Sequence, residues 1–188
     1  MKIYLINTYH RDREKKIKGY VEVLEELGAT VKVLLEDQLQ MVDGPSIISG
    51  SHRMVGEGEV SKELLDFIMK TKYPVLGICY GHQAIAMAYG WEVIKCKKLH
   101  KGDERISRVR EHFLLEGLEE EFIMNESHYE CVRNTSHEFE IIAVSFDDED
   151  GEIIEGIVHR DRPLFGVQFH PERSGNPGKT LLRNFLKG

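Results

Sequence analysis

No stretch of this chain is apolar for long enough to cross a bilayer. No surplus of positive charge runs through it, and no two of its cysteines stand at C-x-x-C spacing. Each absence excludes a class of protein. The longest apolar runs fall well short of the roughly 20 residues that a membrane helix needs, so no membrane span is expected. The formal net charge is −7, from 25 Lys and Arg against 32 Asp and Glu. That balance lacks the electrostatic footprint of a nucleic-acid binder and repels anionic lipid. Cys79, Cys96 and Cys131 are odd in number and far apart, which supports neither a disulfide framework nor a zinc site. No metal is expected, and a cytoplasmic protein with reduced thiols is the simplest reading. Met1 leads straight into Lys2-Ile3-Tyr4-Leu5-Ile6, a strand-like run without the length or cleavage site of a secretory leader. There is no internal repeat and no low-complexity linker. There is also no P-loop.

What is present suits one ordinary soluble domain over residues 1–188, with 41% hydrophobic and 30% charged residues. Ile3 to Ile6, Thr30 to Leu35, Ser46 to Ile48 and Pro74 to Ile78 read as strands. Between them, Arg11 to Leu27 and Val60 to Met69 carry apolar residues at helical spacing, and His82 to Tyr89 follows as a third helix. This alternation predicts an α/β fold with a mainly parallel central sheet flanked by helices. After Gly90 the rhythm changes. Glu92 to Lys95, Ile106 to Val109, Phe122 to Met124, Tyr129 to Arg133, Phe139 to Val144, Glu152 to Val158 and Leu164 to Phe169 read as short strands, which add antiparallel pairing in the second half. Thr180 to Leu186 reads as a last helix. The acidic run Asp147 to Asp150 reads as a solvated hairpin turn.

One junction stands out: Gly77-Ile78-Cys79-Tyr80-Gly81, with a strand before it and a helix after it. It has the shape of a nucleophile elbow, with Cys in the place that Ser takes in G-x-S-x-G. A nucleophile on so sharp a turn leaves no room for side chains two residues away, and glycine removes them. The turn also sets the sulfur at a helix N-terminus, where the dipole favours thiolate. The Tyr80 N–H then points toward any oxyanion formed by attack. A lone buried cysteine is more commonly a packing residue. The second signal is Phe165 to Glu172, FGVQFHPE. A thiol nucleophile needs a base, and the base needs an acid to hold its ring. In an extended segment His170 and Glu172 project to one side.

GICYGHQ together with GVQFHPE resembles the class I, triad-type glutamine amidotransferases, and the resemblance covers nearly the whole chain. It implies a Cys–His–Glu triad that hydrolyses the side-chain amide of L-glutamine: Cys79 as nucleophile, His170 as base, Glu172 as orienting acid. It implies an oxyanion hole from the N–H of Tyr80 and one from Gly50 or Ser51. Gln83 matches the glutamine of the family's elbow motif, which helps hold substrate. The segment Ser127-His128-Tyr129 is similar to the one with which the GMP synthetase branch contacts glutamine, largely through backbone. No cofactor is implied. Ammonia would pass to an ATP-dependent synthetase subunit, and the length and tail lean toward the stand-alone glutaminase subunit of GMP synthetase.

The sequence departs from that pattern in places. The family's Ser-Gly-Gly-Pro is here Ser49-Gly50-Ser51-His52, and Ser51 narrows the backbone freedom of the oxyanion loop. A weak basal activity is therefore expected of the isolated chain. Asn7 to Asp12 lacks the branch's usual segment, and Lys97 to Arg110 has no clear counterpart. His10 and His52 lie at predicted strand ends. His100, His112, His137 and His159 read as surface residues, and Cys96 and Cys131 as packing residues. Two other functions use the same residues: a γ-glutamyl hydrolase acting on a larger substrate, and a partner-binding domain with a decayed oxyanion loop.

Overall fold

The computed structural model describes residues 1–133 and 137–188. Its strands are β1 (Lys2–Asn7), β2 (Thr30–Leu35), β3 (Ser46–Ile48), β4 (Val75–Ile78), β5 (Glu92–Arg108), β6 (Glu121–Arg133), β7 (Phe139–Asp147), β8 (Gly151–His159) and β9 (Leu164–Val167). Its helices are α1 (Arg13–Glu26), α2 (Lys62–Lys70), α3 (Tyr80–Ala88) and α4 (Gly175–Lys187). Among the described residues these strands form one sheet in the order β2-β1-β3-β4-β9-β8-β7-β5-β6. The pairs from β2 to β9 are parallel and those from β9 to β6 antiparallel. The sheet is thus mixed, parallel in its first half and antiparallel in its second, as the change of rhythm after Gly90 predicts.

Alternation along the short central strands sends side chains to both faces. Ile3, Leu5, Ile47, Leu76 and Val167 pack with Ile17, Tyr20 and Leu24 of α1 and with Leu181, Leu182 and Phe185 of α4. Ile6, Ile48, Val75 and Leu164 pack with Leu64 and Ile68 of α2 and with Ala84 and Ile85 of α3. Helices therefore cover both faces of the parallel half, which explains why its inner strands β3, β4 and β9 are buried along their whole length. Ser61 caps α2 by accepting the Leu64 N–H. No described helix is long and apolar enough to cross a membrane.

The second half differs from expectation in strand length. Glu92 to Lys95 and Ile106 to Arg108 belong to one long strand, β5, with Val109 just past its end, and Phe122 to Met124 and Tyr129 to Arg133 to one long strand, β6. The β5–β6 register slips between Lys95 and His100. A slip of this kind interrupts the two-residue periodicity that marks a strand in sequence. Most of the stretch Lys97 to Arg110, without a counterpart by motif, is the far half of β5, which ends at Arg108, and His100 to Ser107 pair with residues 121–128. The turn after β7 is acidic as read. Asp150, however, turns its carboxylate inward to His100 Nε2 at 3.0 Å, with both side chains almost fully buried.

Candidate active site

The parallel strands end on a common edge, where ligand crevices of α/β sheets form. β1 runs there into Thr8, β3 into Ser49 and Gly50, β4 into Cys79, and β9 toward His170. Cys79 joins β4 to α3 with φ 51° and ψ −100°, a left-handed backbone that L-residues avoid unless the surroundings impose it. The Cys79 N–H donates to Val167 O at 2.8 Å. The flanking glycines answer to close packing. A Cβ on Gly77 would lie 2.4 Å from the Gly81 backbone, and one on Gly81 would lie 2.6 Å from Ile48 O. Strand, elbow and helix can meet only without those side chains. The Tyr80 N–H is among the first of α3, which have no partner inside the helix.

His170 Nδ1 lies 2.7 Å from Glu172 Oε1, and both side chains are buried. The other Glu172 oxygen is buried without a partner, so the carboxylate acts chiefly on this ring. Bonding through Nδ1 leaves Nε2 for the thiol. Burial alone would lower the His170 pKa. The Glu172 charge and then Cys79 more than reverse it, and the imidazole is raised to about 9. Burial pushes the Cys79 thiol up, but the charge and hydrogen bonding of His170, helped by His128, leave it below its ordinary value. The two shifts act in the same sense, each favouring the charged form of its group, thiolate on Cys79 and imidazolium on His170. Cys79 Sγ also lies 3.8 Å from Ser127 O.

Gly50 sits against this pair. A Cβ there would meet His170 Cε1 and Tyr9 Oη at 2.9 Å each. The Gly50 N–H donates to Tyr20 Oη at 3.0 Å, so of the two N–H groups considered for the oxyanion in this loop, that of Gly50 is already engaged. Ser51 Oγ donates to Thr8 O at 2.9 Å. The serine that replaces the family's second glycine is a tether between the loop and the end of β1.

A cleft of about 350 Å³ opens over the sulfur, lined by Cys79, Gln83, Ser127, His128, Tyr129 and Glu130 with Ser51 at its rim. It gathers the predicted substrate residues in one place. The Gln83 amide nitrogen is held by Glu130 O at 3.0 Å and Gln168 Oε1 at 3.1 Å, leaving its carbonyl oxygen as the group available in the cleft. Glu130 escapes the sequence reading. One of its oxygens accepts the Gly56 N–H at 2.9 Å, and the other is buried without a partner. Burial raises this carboxyl above the ordinary range. The signal for it was present: β6 alternates, so Glu130 follows His128 on the buried face by a step of two.

His100, read as a surface residue, is buried and stacks on His128 at 5.0 Å with 13° between the rings. His128 Nε2 pairs with Glu126 Oε2 at 3.2 Å. The donor atoms of His100, Glu126 and His128 lie within 4.8 Å of one another, as metal ligands do, and so do those of Cys96, His100 and Asp150. Lone pairs of nearly parallel rings do not converge on one ion, however, and each ring already has a carboxylate partner. The Cys96 thiol is raised above its ordinary value by hydrogen bonding with Cys131 and by burial, which suits neither a metal ligand nor a nucleophile. As arranged, neither group fits a metal. Cys96 and Cys131 pack with Ile153, as expected of packing residues.

A family model described as glutamine amidotransferase class-I matches residues 15–188. The glutamine-hydrolyzing GMP synthase subunit of Methanococcus aeolicus is 37% identical over 130 residues, covering 69% of this chain and 67% of that protein. The same-named protein of Thermoplasma volcanium is 29% identical over 191 residues, covering 99% and 91%. Among solved structures, a putative GMP synthase subunit from Thermoplasma acidophilum superposes with a TM-score of 0.85 at 28% identity, covering 100% of this chain and 92% of that one. A glutamine amidotransferase from Thermotoga maritima, with a TM-score of 0.75 at 17% identity over 100% and 96%, shares the fold.

Proposed function

The chain belongs to the glutamine amidotransferase class-I family, and from that premise we propose that it is a cytoplasmic glutaminase that feeds ammonia to an ATP-dependent GMP synthetase subunit. In this reading residues 1–188 work as one glutaminase domain. Cys79 thiolate attacks Cδ of L-glutamine, and the carbonyl oxygen becomes an oxyanion. The N–H of Tyr80 and the Gly50–Ser51 loop hold that charge. The His170 imidazolium gives its proton to the departing ammonia as the C–N bond breaks, leaving a γ-glutamyl thioester. Neutral His170 then takes a proton from water, hydroxide adds to the thioester, and glutamate leaves as the thiolate re-forms. Glu172 keeps Nδ1–H in place throughout and stabilises the imidazolium. No step calls for a cofactor.

The observation that carries this reading is the buried bond of 2.7 Å from His170 to Glu172, beside a thiol lowered by the same imidazole. Substrate recognition follows from the cleft. The Gln83 carbonyl and, once substrate turns it toward the cleft, the buried unpaired Glu130 oxygen are the acceptors for the α-ammonium of a free amino acid, and Ser127, His128 and Tyr129 form the adjoining wall. The names of the relatives favour GMP synthesis over a γ-glutamyl hydrolase. The intact arrangement of Cys79, His170 and Glu172 weighs against a decayed binding domain. Diazo-oxo-norleucine, a glutamine mimic with an electrophilic carbon, tests the assignment. It should label Cys79 alone, in a reaction that glutamine slows; labelling at Cys96 or Cys131 with Cys79 untouched would refute it.

A further inference from the structure

The oxyanion loop of this chain is tied on both sides of Gly50 by buried hydroxyl groups. Its carbonyl accepts from Thr8 Oγ1 at 2.7 Å and from Ser49 Oγ at 2.9 Å, which occupies both lone pairs. Thr8 and Ser49 are fully buried. On the other side, the Gly50 N–H donates to Tyr20 Oη at 3.0 Å, and that oxygen lies 3.4 Å from His170 Nδ1. Tyr20 is itself buried in the inner face of α1. The Thr8 and Ser49 hydroxyls hold backbone, and the Tyr20 hydroxyl holds backbone while lying against the His170 ring.

The geometry has a directional consequence. In a trans peptide the C=O of Gly50 and the N–H of Ser51 point opposite ways. The carbonyl is turned inward to Thr8 and Ser49, so the Ser51 N–H is turned away from them; Ser51 lines both the Cys79 cleft and the adjoining one beside His170. Rotating that peptide would strip two hydrogen bonds from a buried carbonyl, and unpaired buried polar groups are strongly disfavoured. The Tyr20 bond fixes the preceding peptide in the same way and sets it against the catalytic ring.

We propose that Thr8, Ser49 and Tyr20 are positioning residues that hold the Gly50–Ser51 peptide with its N–H presented to the oxyanion formed on Cys79 attack. The inference rests on the glutaminase reading and deepens it. A loop with a serine in place of a flexible glycine is kept ready by a hydroxyl clamp, so turnover by the isolated chain does not wait for a partner to turn the peptide.

The test separates the oxyanion hole from the thiol. Alkylation of Cys79 by iodoacetamide needs the thiolate but forms no oxyanion, whereas glutamine turnover needs both. Thr8→Val and Tyr20→Phe are expected to lower kcat for glutamine roughly ten-fold or more each, toward the hundred- to thousand-fold loss typical of a missing donor. In Thr8→Val, KM and the Cys79 alkylation rate should stay within about two-fold of wild type, and Thr8→Ser, which restores the hydroxyl, should restore kcat, since the Thr8 bond to Gly50 only positions backbone. Wild-type kcat in both Thr8→Val and Tyr20→Phe would overturn the clamp. So would a parallel fall in turnover and alkylation in Thr8→Val, because its hydroxyl, which bonds to Ser49 and Gly50, would then act on Cys79 or His170. If the wild-type chain turned over no more glutamine than Cys79→Ala while its alkylation was normal, the glutaminase reading would fail and take the clamp with it.

Discussion

Replacing Glu172 by glutamine keeps the shape of the group that orients His170 and removes its charge. That charge is the largest of the influences that raise the imidazole from 6.5 to about 9. In the proposed mechanism His170 must be protonated to release ammonia, so the alkaline limb of the kcat/KM profile belongs to its loss of a proton. Activity should persist while pH is below the raised pKa and fade as pH climbs through about 9. In Glu172→Gln the alkaline limb should move down by on the order of one to two units, the usual effect of a lost neighbouring charge. At pH 8 most of the wild-type imidazole is protonated, and about half or less of the variant's would be. With the loss of ring orientation, kcat/KM at that pH should drop roughly a hundred-fold or more. Ammonia release from glutamine, followed from pH 6 to pH 10 by a coupled assay, measures this. An alkaline limb that stayed near 9, with a rate at pH 8 within a few-fold of wild type, would refute the role given to Glu172.

Other outcomes follow from the same structure. Gly81→Ala, whose Cβ would meet Ile48 O at 2.6 Å, should destabilise the fold by about 3 kcal/mol in urea titrations, because the atom it meets is strand backbone, which has little room to relax. Glu130→Gln should raise KM for glutamine roughly ten-fold or more with a smaller change in kcat, as expected when a ground-state ion pair is lost; steady-state kinetics decides it. Glu155 is buried beside Glu126, and burial with that like charge raises its carboxyl well above the ordinary range. A raised carboxyl contributes its stability fully below the unfolded value and loses it as pH rises. Glu155→Gln should therefore melt higher than wild type at pH 8, and the difference should close near pH 4.

The elbow was legible because its signals are local. An apolar strand, two glycines and a small-residue helix follow one another within Pro74 to Gly90, and the packing that demands the glycines involves neighbours in sequence and the adjacent strand. His170 and Glu172 were legible for the same reason, being two residues apart at a strand end. Tyr20 was hidden because it repeats with Ile17 and Leu24 on the buried face of α1, and a tyrosine there reads as core. Its hydroxyl gains meaning only when β3 brings Gly50 to it. His100 and Asp150 lie in charged stretches 50 residues apart that read as surface; they meet because β5 runs on past its register slip to pair with β6. The burial of Glu126 and Glu155 depends on the same strands. One orphaned oxygen on each is explained if Glu155 keeps its proton and shares it with Glu126, a condition that no sequence pattern expresses. Ser51, read as a restriction on the loop, is in place a bond to Thr8.

The measurement that bears most directly on the proposed function is ammonia release from L-glutamine by the purified chain and by its Cys79→Ala, Cys96→Ala and Cys131→Ala variants, each checked for folding by its melting curve. Release should vanish in Cys79→Ala with the fold intact and survive in the other two, and a γ-glutamyl thioester should be found on Cys79 when the reaction is quenched in acid. Wild-type release from a folded Cys79→Ala variant would contradict the central claim, because the elbow, the cleft and the His170–Glu172 pair all converge on that one sulfur.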